Sequence, residues 1–287
     1  MEELVFVYGS LLWSEENNRY LRDARRISAL AWTQGRLIDT GLGYPAMLRE
    51  EETGTVNGEL YSMTAETLRE IDEFEDFYGF GHLDNEYERV KLEVWTDKGK
   101  FQAWAYIFNR ETGLAAVHGD WRLSQMQRTG NVLYFAYGSC MDTERISQAG
   151  WHDHFKMVVG RGVAEGFSLK FTYVMEDGGR ADLVECGGRT EGKLYRISAE
   201  CLQQYLYLRE GVDSNQYRPA VIPVRLDNGD SVPAVTFIVV DKQSEIAPPA
   251  HYMKEILRGA RPVVSAEYHE ALLTRFVTSY GYVESSF

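Results

Sequence analysis

Leu4-Val5-Phe6-Val7-Tyr8-Gly9-Ser10-Leu11 and Leu133-Tyr134-Phe135-Ala136-Tyr137-Gly138-Ser139-Cys140 are near-repeats of each other. Each is an apolar run of strand-forming residues that stops at Tyr-Gly-Ser. A second echo lies downstream: Ile71-Asp72-Glu73-Phe74-Glu75 in the first half, Leu206-Tyr207-Leu208-Arg209-Glu210-Gly211 in the second. Glycine and glutamate are 66 residues apart in the first half (Gly9 to Glu75) and 72 in the second (Gly138 to Glu210). A strand-to-glycine turn and a downstream carboxylate, repeated at nearly one spacing, predict two copies of one domain with a site in each.

Composition sets the frame. The chain has 287 residues, 44% hydrophobic and 25% charged, enough for two domains of the usual roughly 100–200 residues. We expect domains over 1–117 and 132–287, joined by a connector over 118–131, where no period-2 pattern is evident. No apolar run approaches the roughly 20 residues of a membrane span, and the start lacks a signal-peptide pattern. Cys140, Cys186 and Cys201 are odd in number and form no CxxC pair, which argues against a disulfide framework or a zinc site. Of six histidines only His152-x-His154 approaches metal-ligand spacing, and it reads as a polar loop. A net charge of −13 repels nucleic acid and anionic membranes. The expectation is a cytoplasmic protein that acts without metal or cofactor on a small molecule.

Each copy reads as strand, loop, strands, helix and strand pair. In the first, residues 3–8 alternate around Leu4, Phe6 and Tyr8. A strand over 55–61 leads to a helix capped by Thr64 with Glu66 in its first turn. Strands 87–94 and 101–108 meet at Thr96-Asp97-Lys98-Gly99, a hairpin signature. In the second, 190–197 leads to a helix capped by Ser198 and running to about Leu208, and 217–226 pairs with 232–240 across Asp227-Asn228-Gly229-Asp230. Helices near 250–258 and 266–279 occur only in the second copy. Hairpins dominate, so the fold class is α+β, each unit a small, mainly antiparallel β-barrel with flanking helices.

Within the first helix Leu68, Ile71 and Phe74 form one apolar stripe, and at 100° per residue Glu75 falls on it while Glu70, Asp72 and Glu73 point to solvent. Desolvation near a helix C-terminus disfavours the anion, so the Glu75 carboxyl should titrate high enough to serve as a general base near neutral pH. Glu210 takes the same place in the second copy, following Leu206 and Leu208 with less regular helical spacing. Glycine at the strand end lets the backbone approach a ligand, and successive N–H groups there form a nest for a carboxylate or a developing oxyanion.

These segments resemble a known family. Tyr8-Gly9-Ser10-Leu11, Tyr44-Pro45-Ala46, Val56-Asn57-Gly58-Glu59-Leu60-Tyr61, Asp72-Glu73-Phe74-Glu75 and Tyr87-Glu88-Arg89 resemble the AIG2-like branch of the γ-glutamylcyclotransferase superfamily. Phe135-Ala136-Tyr137-Gly138-Ser139-Cys140-Met141, Glu191-Gly192-Lys193-Leu194-Tyr195, Arg209-Glu210-Gly211, Tyr217 and Ala247-Pro248-Pro249-Ala250-His251-Tyr252 are similar to γ-glutamylcyclotransferase proper. The resemblance implies tandem barrels of that fold and a cofactor-free cyclisation of a γ-glutamyl amine or peptide to 5-oxoproline and the free amine. It makes Glu75 and Glu210 the acid/base residues. It makes Tyr8, Gly9, Ser10 and Leu11, and Tyr137, Gly138, Ser139, Cys140, Met141 and Asp142, the substrate-holding turns, with Tyr87, Tyr217 and Tyr252 beside them.

Two departures bear on substrate. Cys140 stands where the family carries asparagine, and reads as a small apolar filler. Tyr207 replaces the aspartate that usually precedes the glutamate, and Arg209-Glu210 is also similar to the glutathione-specific cyclotransferases. Three readings follow: a γ-glutamylcyclotransferase for amines or peptides, a glutathione-specific enzyme, and a non-catalytic binder of small carboxylates. Retention of the glutamate in both halves favours an enzyme. The second half, whose resemblance extends furthest, is expected to house the main site, at Glu210. Two covalently joined copies supply the pairing that single-domain relatives obtain by dimerising, so a monomer with an internal pseudo-dimer is expected.

Overall fold

The computed structural model describes residues 2–49, 54–108 and 119–283. The chain divides into two compact units, Met1–Gln125 and Met126–Phe287. The expected domain end at 117 lies outside the described residues. The later part of the expected connector holds helix α2 (Trp121–Thr129), whose first half belongs to the first unit: Trp121 and Leu123 are buried and Trp121 joins that unit's core.

In the first unit, β1 (Glu3–Val7), β2 (Arg25–Gln34), β5 (Thr55–Met63), β6 (Tyr87–Thr96) and β7 (Gly99–Phe108) close into a barrel in the order β1-β5-β2-β6-β7. The pairings are antiparallel except where β7 meets β1 in parallel at Val5 and Trp104. A small hairpin, β3 (Arg36–Asp39) with β4 (Pro45–Leu48), leaves the barrel after β2. Helix α1 (Ala65–Phe74) follows β5, its Thr64 cap accepting the Thr67 N–H at 3.2 Å.

The second unit repeats this order with β8 (Asn131–Ala136), β9 (Val158–Glu165), β12 (Arg189–Ser198), β13 (Tyr217–Arg225) and β14 (Ser231–Val239). Its barrel closes as β12-β8-β14-β13-β9, the same cyclic neighbours, with the one parallel contact again at the ring's closure, Val235 beside Tyr134. Hairpin β10 (Ser168–Met175) and β11 (Gly178–Val184) stands where β3 and β4 stand. After Ser198, whose hydroxyl accepts the Cys201 N–H at 3.1 Å, come α4 (Ala199–Cys201), a π-helical turn Leu202–Leu206 and α5 (Tyr207–Arg209). Helix α3 (Thr143–Gln148) follows β8, and α6 (Ala250–Ala260) and α7 (Ala266–Tyr280) end the unit.

Two details correct the sequence reading. Val5, Phe6, Val7 and Tyr8 are all buried and Leu4 only partly, so β1 does not alternate; it is covered on both faces. The uneven spacing around Glu210 comes from the π turn: Glu75 lies eleven positions after cap Thr64, Glu210 lies twelve after Ser198, and one wide turn absorbs the extra residue.

Both barrels depend on a glycine where two strands nearly touch. A Cβ on Gly58 would lie 2.1 Å from the Val7 carbonyl oxygen, and one on Gly192 would lie 2.3 Å from that of Ala136. These contacts draw β5 onto β1 and β12 onto β8, fixing where each Tyr-Gly-Ser turn emerges.

Candidate active site

Each unit holds a cavity where its Tyr-Gly-Ser turn faces the end of its helix. In the first, the buried Tyr8 hydroxyl donates to the Tyr106 carbonyl at 2.6 Å, pinning the end of β1 to β7. The chain then turns, Leu12 N–H bonding back to the Gly9 carbonyl at 3.0 Å. Among the described residues, the N–H groups of Gly9, Ser10 and Leu11 donate to no protein acceptor. A Cβ on Gly9 would stand 3.0 Å from the Pro45 ring, so glycine lets β4 close over the turn. Tyr87 completes that wall by donating to the Pro45 carbonyl at 3.3 Å.

Glu75 faces this turn across a cavity of about 480 Å³ that Tyr44, Phe74, Glu86, Tyr87 and Tyr106 also line. Sequence periodicity places Glu75 on a helical stripe; the structure places it one residue past α1, as the cap. Its N–H closes the last turn onto the Ile71 carbonyl at 2.9 Å, and Asp76 follows in the left-handed region at φ 50°. No ion pair reaches the Glu75 carboxyl among the described residues. Burial, reinforced by the Glu86 and Asp76 charges, pushes its pKa up to about 8.

Asp72 requires a further correction. Expected on the solvated face, it is largely buried, accepting from Arg89 at 2.6 Å and from the Tyr106 hydroxyl at 2.7 Å. The helical wheel misplaced it because the sheet rises beside α1 and supplies partners that helical spacing cannot show.

The second cavity, of about 300 Å³, is built alike. Tyr137 donates to the Phe237 carbonyl at 2.6 Å, matching Tyr8. A Cβ on Gly138 would lie 3.1 Å from Ala181 Cβ, matching Gly9 over Pro45. Tyr217 donates to the Ala181 carbonyl at 2.9 Å, matching Tyr87, and the Ala181 N–H donates to the Tyr252 hydroxyl at 3.2 Å. The N–H groups of Gly138, Ser139 and Cys140 donate to no protein acceptor among the described residues. The expected nest extends no further. Met141 N–H bonds the Gly138 carbonyl at 3.0 Å and Asp142 N–H bonds that of Ser139 at 3.1 Å. Neither residue lines the cavity. Asp142 caps α3 and pairs with Arg258, so Met141 and Asp142 brace the turn from behind.

Glu210 caps α5 as Glu75 caps α1, its N–H on the Leu206 carbonyl at 2.9 Å and Gly211 following at φ 60°. Its surroundings differ. Arg209, standing where the first unit has Phe74, donates to Glu210 Oε1 at 3.2 Å and to Ser139 Oγ at 3.0 Å. Cys140 Sγ lies 3.8 Å from the same carboxylate oxygen. Burial raises the Glu210 pKa; the Arg209 charge and the Cys140 thiol pull it partway back. Cys140 is therefore a neighbour of the carboxylate as well as a filler. Burial also pushes its own thiol up, keeping it protonated. Helix α6 adds His251, Tyr252 and Glu255 to the wall, and Arg180 stacks over the Tyr252 ring at 5.1 Å.

The structure thus assembles Glu75, Tyr8, Gly9, Ser10, Leu11 and Tyr87 around one cavity, and Glu210, Tyr137, Gly138, Ser139, Cys140, Tyr217 and Tyr252 around the other. Sequence reasoning missed Glu86, Arg180 and the bridge from Arg209 to Ser139; the first two sit beside their sites with no motif of their own. No group of three or more metal-ligating side chains occurs among the described residues, and no helix there is long and apolar enough to cross a membrane.

Comparison with known proteins gives the same frame. A family model described as gamma-glutamyl cyclotransferase, AIG2-like, matches residues 5–123, and one described as AIG2-like family matches residues 189–272. The sequence is 39% identical to YkqA of Bacillus subtilis (strain 168) over 277 residues, 95% of this chain and 96% of YkqA. The crystal structure of YkqA superposes with a TM-score of 0.84 at 38% identity, over 97% of this chain and 98% of that one. Gamma-L-glutamyl-butirosin B gamma-glutamyl cyclotransferase of Niallia circulans is 36% identical over 128 residues, 45% of this chain and 81% of the enzyme. With two such barrels and a relative matched nearly end to end, the chain belongs to the AIG2-like γ-glutamylcyclotransferase family.

Proposed function

We propose that the protein is a γ-glutamylcyclotransferase, converting a γ-glutamyl amine or peptide to 5-oxoproline and the free amine. One observation carries this reading: in each unit a largely buried carboxyl at a helix end shares a cavity with three backbone N–H groups that have no protein partner among the described residues.

The chemistry needs little more. The nucleophile is the substrate's own α-amine, already tethered to the γ-carbonyl it attacks, so ring closure avoids the entropy of bringing two molecules together. The α-ammonium gives up a proton to Glu75 or Glu210, freeing the nitrogen lone pair. That nitrogen bonds to the γ-carbon, and the carbonyl electrons move onto oxygen, where the turn's N–H groups stabilise the oxyanion. Collapse breaks the bond to the leaving nitrogen, which takes the proton from the carboxyl; the ring nitrogen passes its second proton to the same carboxylate, which hands it on to the freed amine, leaving 5-oxoproline, the ammonium form of the amine and the carboxylate restored. A glutamate with a raised pKa suits both halves of this transfer. The Niallia circulans relative is, by its name, a cyclotransferase for γ-L-glutamyl-butirosin B.

The test is release of 5-oxoproline from a panel of γ-glutamyl compounds by the unmodified protein and by Glu75→Gln, Glu210→Gln and the double variant. Each single change should lower turnover at its own site by roughly 10²–10⁴ while substrate still binds. Undiminished turnover in the double variant would refute the mechanism. We expect Glu210 to dominate on substrates bearing a second carboxylate, because Arg145, Arg180 and Arg209 line its cavity.

A further inference from the structure

Both glutamates end a helix, but only one is tied to its turn. Glu210 Oε1 accepts from Arg209 Nε at 3.2 Å and from the Cys140 thiol at 3.8 Å. Among the described residues no protein donor reaches Oε2. Both donors are also fastened to the Tyr-Gly-Ser turn. Cys140 carries the third N–H of the nest, and the Tyr195 hydroxyl holds its carbonyl at 3.1 Å. Arg209 reaches Ser139 Oγ at 3.0 Å with Nη2 and the Tyr205 hydroxyl at 3.4 Å with Nη1, so its guanidinium plane is fixed from every nitrogen. In the first unit Leu11 stands at the place of Cys140 and Phe74 at that of Arg209. The Glu75 carboxyl receives no hydrogen bond among the described residues.

A carboxylate oxygen offers two in-plane lone pairs, and on Oε1 two donors occupy both, which leaves no place there for a proton from the substrate. We propose that the second site moves protons through Glu210 Oε2 alone, with the Cys140 thiol and the Arg209 guanidinium as positioning residues that clamp Oε1. This rests on reading Glu210 as the acid/base of a cyclisation site and adds which of its atoms works and what holds that atom in place. A thiol is a weak donor in water, but here it is buried and its acceptor is charged, which strengthens the bond. The clamp also survives the transfer: with the proton on Oε2, Oε1 becomes a carbonyl oxygen and still accepts from both. Each proton therefore arrives at and leaves from one oxygen without rotation of the carboxyl. Because the clamping residues are fastened to the turn, Oε2 keeps its distance from the nest while the oxyanion forms. Around the carboxyl, burial keeps Tyr134, Tyr137, Tyr205, Tyr217 and Tyr252 neutral, and His251 bonds neither oxygen.

The experiment uses the full chain carrying Glu75→Gln, which silences the first site, and follows 5-oxoproline release from γ-glutamyl-alanine and from glutathione. Cys140→Ala in this parent should lower kcat roughly tenfold and leave KM within about twofold. It should also move the acid limb of kcat/KM to higher pH, since the carboxylate loses a donor that favours its anion. Cys140→Ser keeps a donor at the same place; it should recover most of the lost kcat and return the limb to its starting pH or below. Alanine and serine relieve the packing almost equally, so a thiol that only fills space would make the two variants alike. A second measurement needs no substitution at 140: the infrared S–H stretch of the parent with and without Glu210→Gln. One thiol band should fall in frequency as Glu210 ionises, because a charged acceptor draws the S–H bond harder, and should stay fixed in Glu210→Gln. Equal kcat and coincident limbs for Cys140→Ala and Cys140→Ser, or no S–H band that answers to Glu210, would overturn the inference while leaving the cyclotransferase reading intact. No 5-oxoproline from either probe would sink the inference together with the reading of Glu210 on which it rests.

Discussion

Replacing Glu75 by glutamine should stabilise the first unit, and by more as pH rises. Glutamine keeps the size and hydrogen-bonding shape of a protonated glutamic acid, so the variant mimics the carboxyl that the cavity favours. Below about pH 4.5 the native and unfolded chains both carry the proton, and Glu75 contributes no pH dependence. Between 4.5 and about 8 the unfolded chain has released it while the folded chain holds it. The unfolded state therefore binds fewer protons, and the unmodified protein loses stability as pH climbs through that window. At ~1.4 kcal/mol per pH step the loss has an upper limit of about 5 kcal/mol. The cavity opens to solvent, which screens the penalty, and we take roughly half, about 2 kcal/mol. On a unit of this size that is on the order of 8 °C in melting temperature. Urea titration followed by tryptophan fluorescence suits the measurement, because Trp13, Trp32, Trp95, Trp104 and Trp121 lie in the first unit and only Trp151 in the second. The stability gap between Glu75→Gln and the unmodified protein should widen from pH 5 to pH 8.5. A gap constant to within about 0.5 kcal/mol would refute the desolvated carboxyl, since burial without a pKa shift is excluded by linkage.

The two sites should also differ in pH-rate behaviour. With only the first active (Glu210→Gln) the acid limb of kcat/KM for 5-oxoproline release should lie at higher pH than with only the second (Glu75→Gln), because Arg209 holds Glu210 down while no cation among the described residues does so for Glu75; coincident limbs would contradict this. Arg209→Gln in the Glu75→Gln background should move the second site's limb to higher pH, and Arg209→Lys should restore part of the shift, whereas a purely structural arginine would change rate without moving the limb. Gly58→Ala and Gly192→Ala should each destabilise their own unit by ~3 kcal/mol or more in denaturant titrations, since the added methyl group meets a strand carbonyl at 2.1 or 2.3 Å and neither backbone can yield.

Features of the fold that depend on local chemistry were legible in the sequence. Thr64 and Ser198 cap their helices as expected of hydroxyls before an apolar periodic run. The Asp97-Lys98 and Asp227–Asp230 turns join hairpins within a residue or two of the expected limits. The duplicated Tyr-Gly-Ser placed both sites because the close backbone approach there demands glycine. Features set by partners distant in sequence were not legible. β2 begins at Arg25-Arg26, and nothing local says that a ten-residue strand follows. Asp72 was assigned to solvent because Arg89 and Tyr106 reach it from the adjacent strand pair, and helix periodicity cannot register them. The helix at 121–129 begins with buried Trp121, Arg122 and Leu123, and its anchor is the pair between Arg122 and Glu59 at 2.9 Å, a partner on β5.

Aligning the two barrels by strand register shows what duplication preserved and what it released. Arg89 pairs with Tyr106 across β6 and β7; at the matching register of β13 and β14, Pro219 pairs with Phe237. Asp72, three residues before Glu75, corresponds to Tyr207, three before Glu210. The first unit thus has a largely buried Asp72–Arg89–Tyr106 network, and the second has Tyr207 edge-on to Phe237 at 6.1 Å with no charge at any of the three places. Such a network changes as a set, because removing one member strands the charge of another in a desolvated position, at a cost of about 3–5 kcal/mol for a broken buried pair. The backbone contacts show no such exchange: Tyr8 and Tyr137 to the closing strand, Gly9 and Gly138 under the hairpin, Tyr87 and Tyr217 to the hairpin carbonyl. Even the inserted residue before Glu210 is taken up by a π turn instead of displacing the glutamate from the helix end. The turn and carboxyl therefore keep one fixed relation in both units, while the charges around them differ. A glutamate kept desolvated at the helix end in each unit, with its anion disfavoured by burial in both, is the arrangement that the proposed pair of cyclisation sites requires.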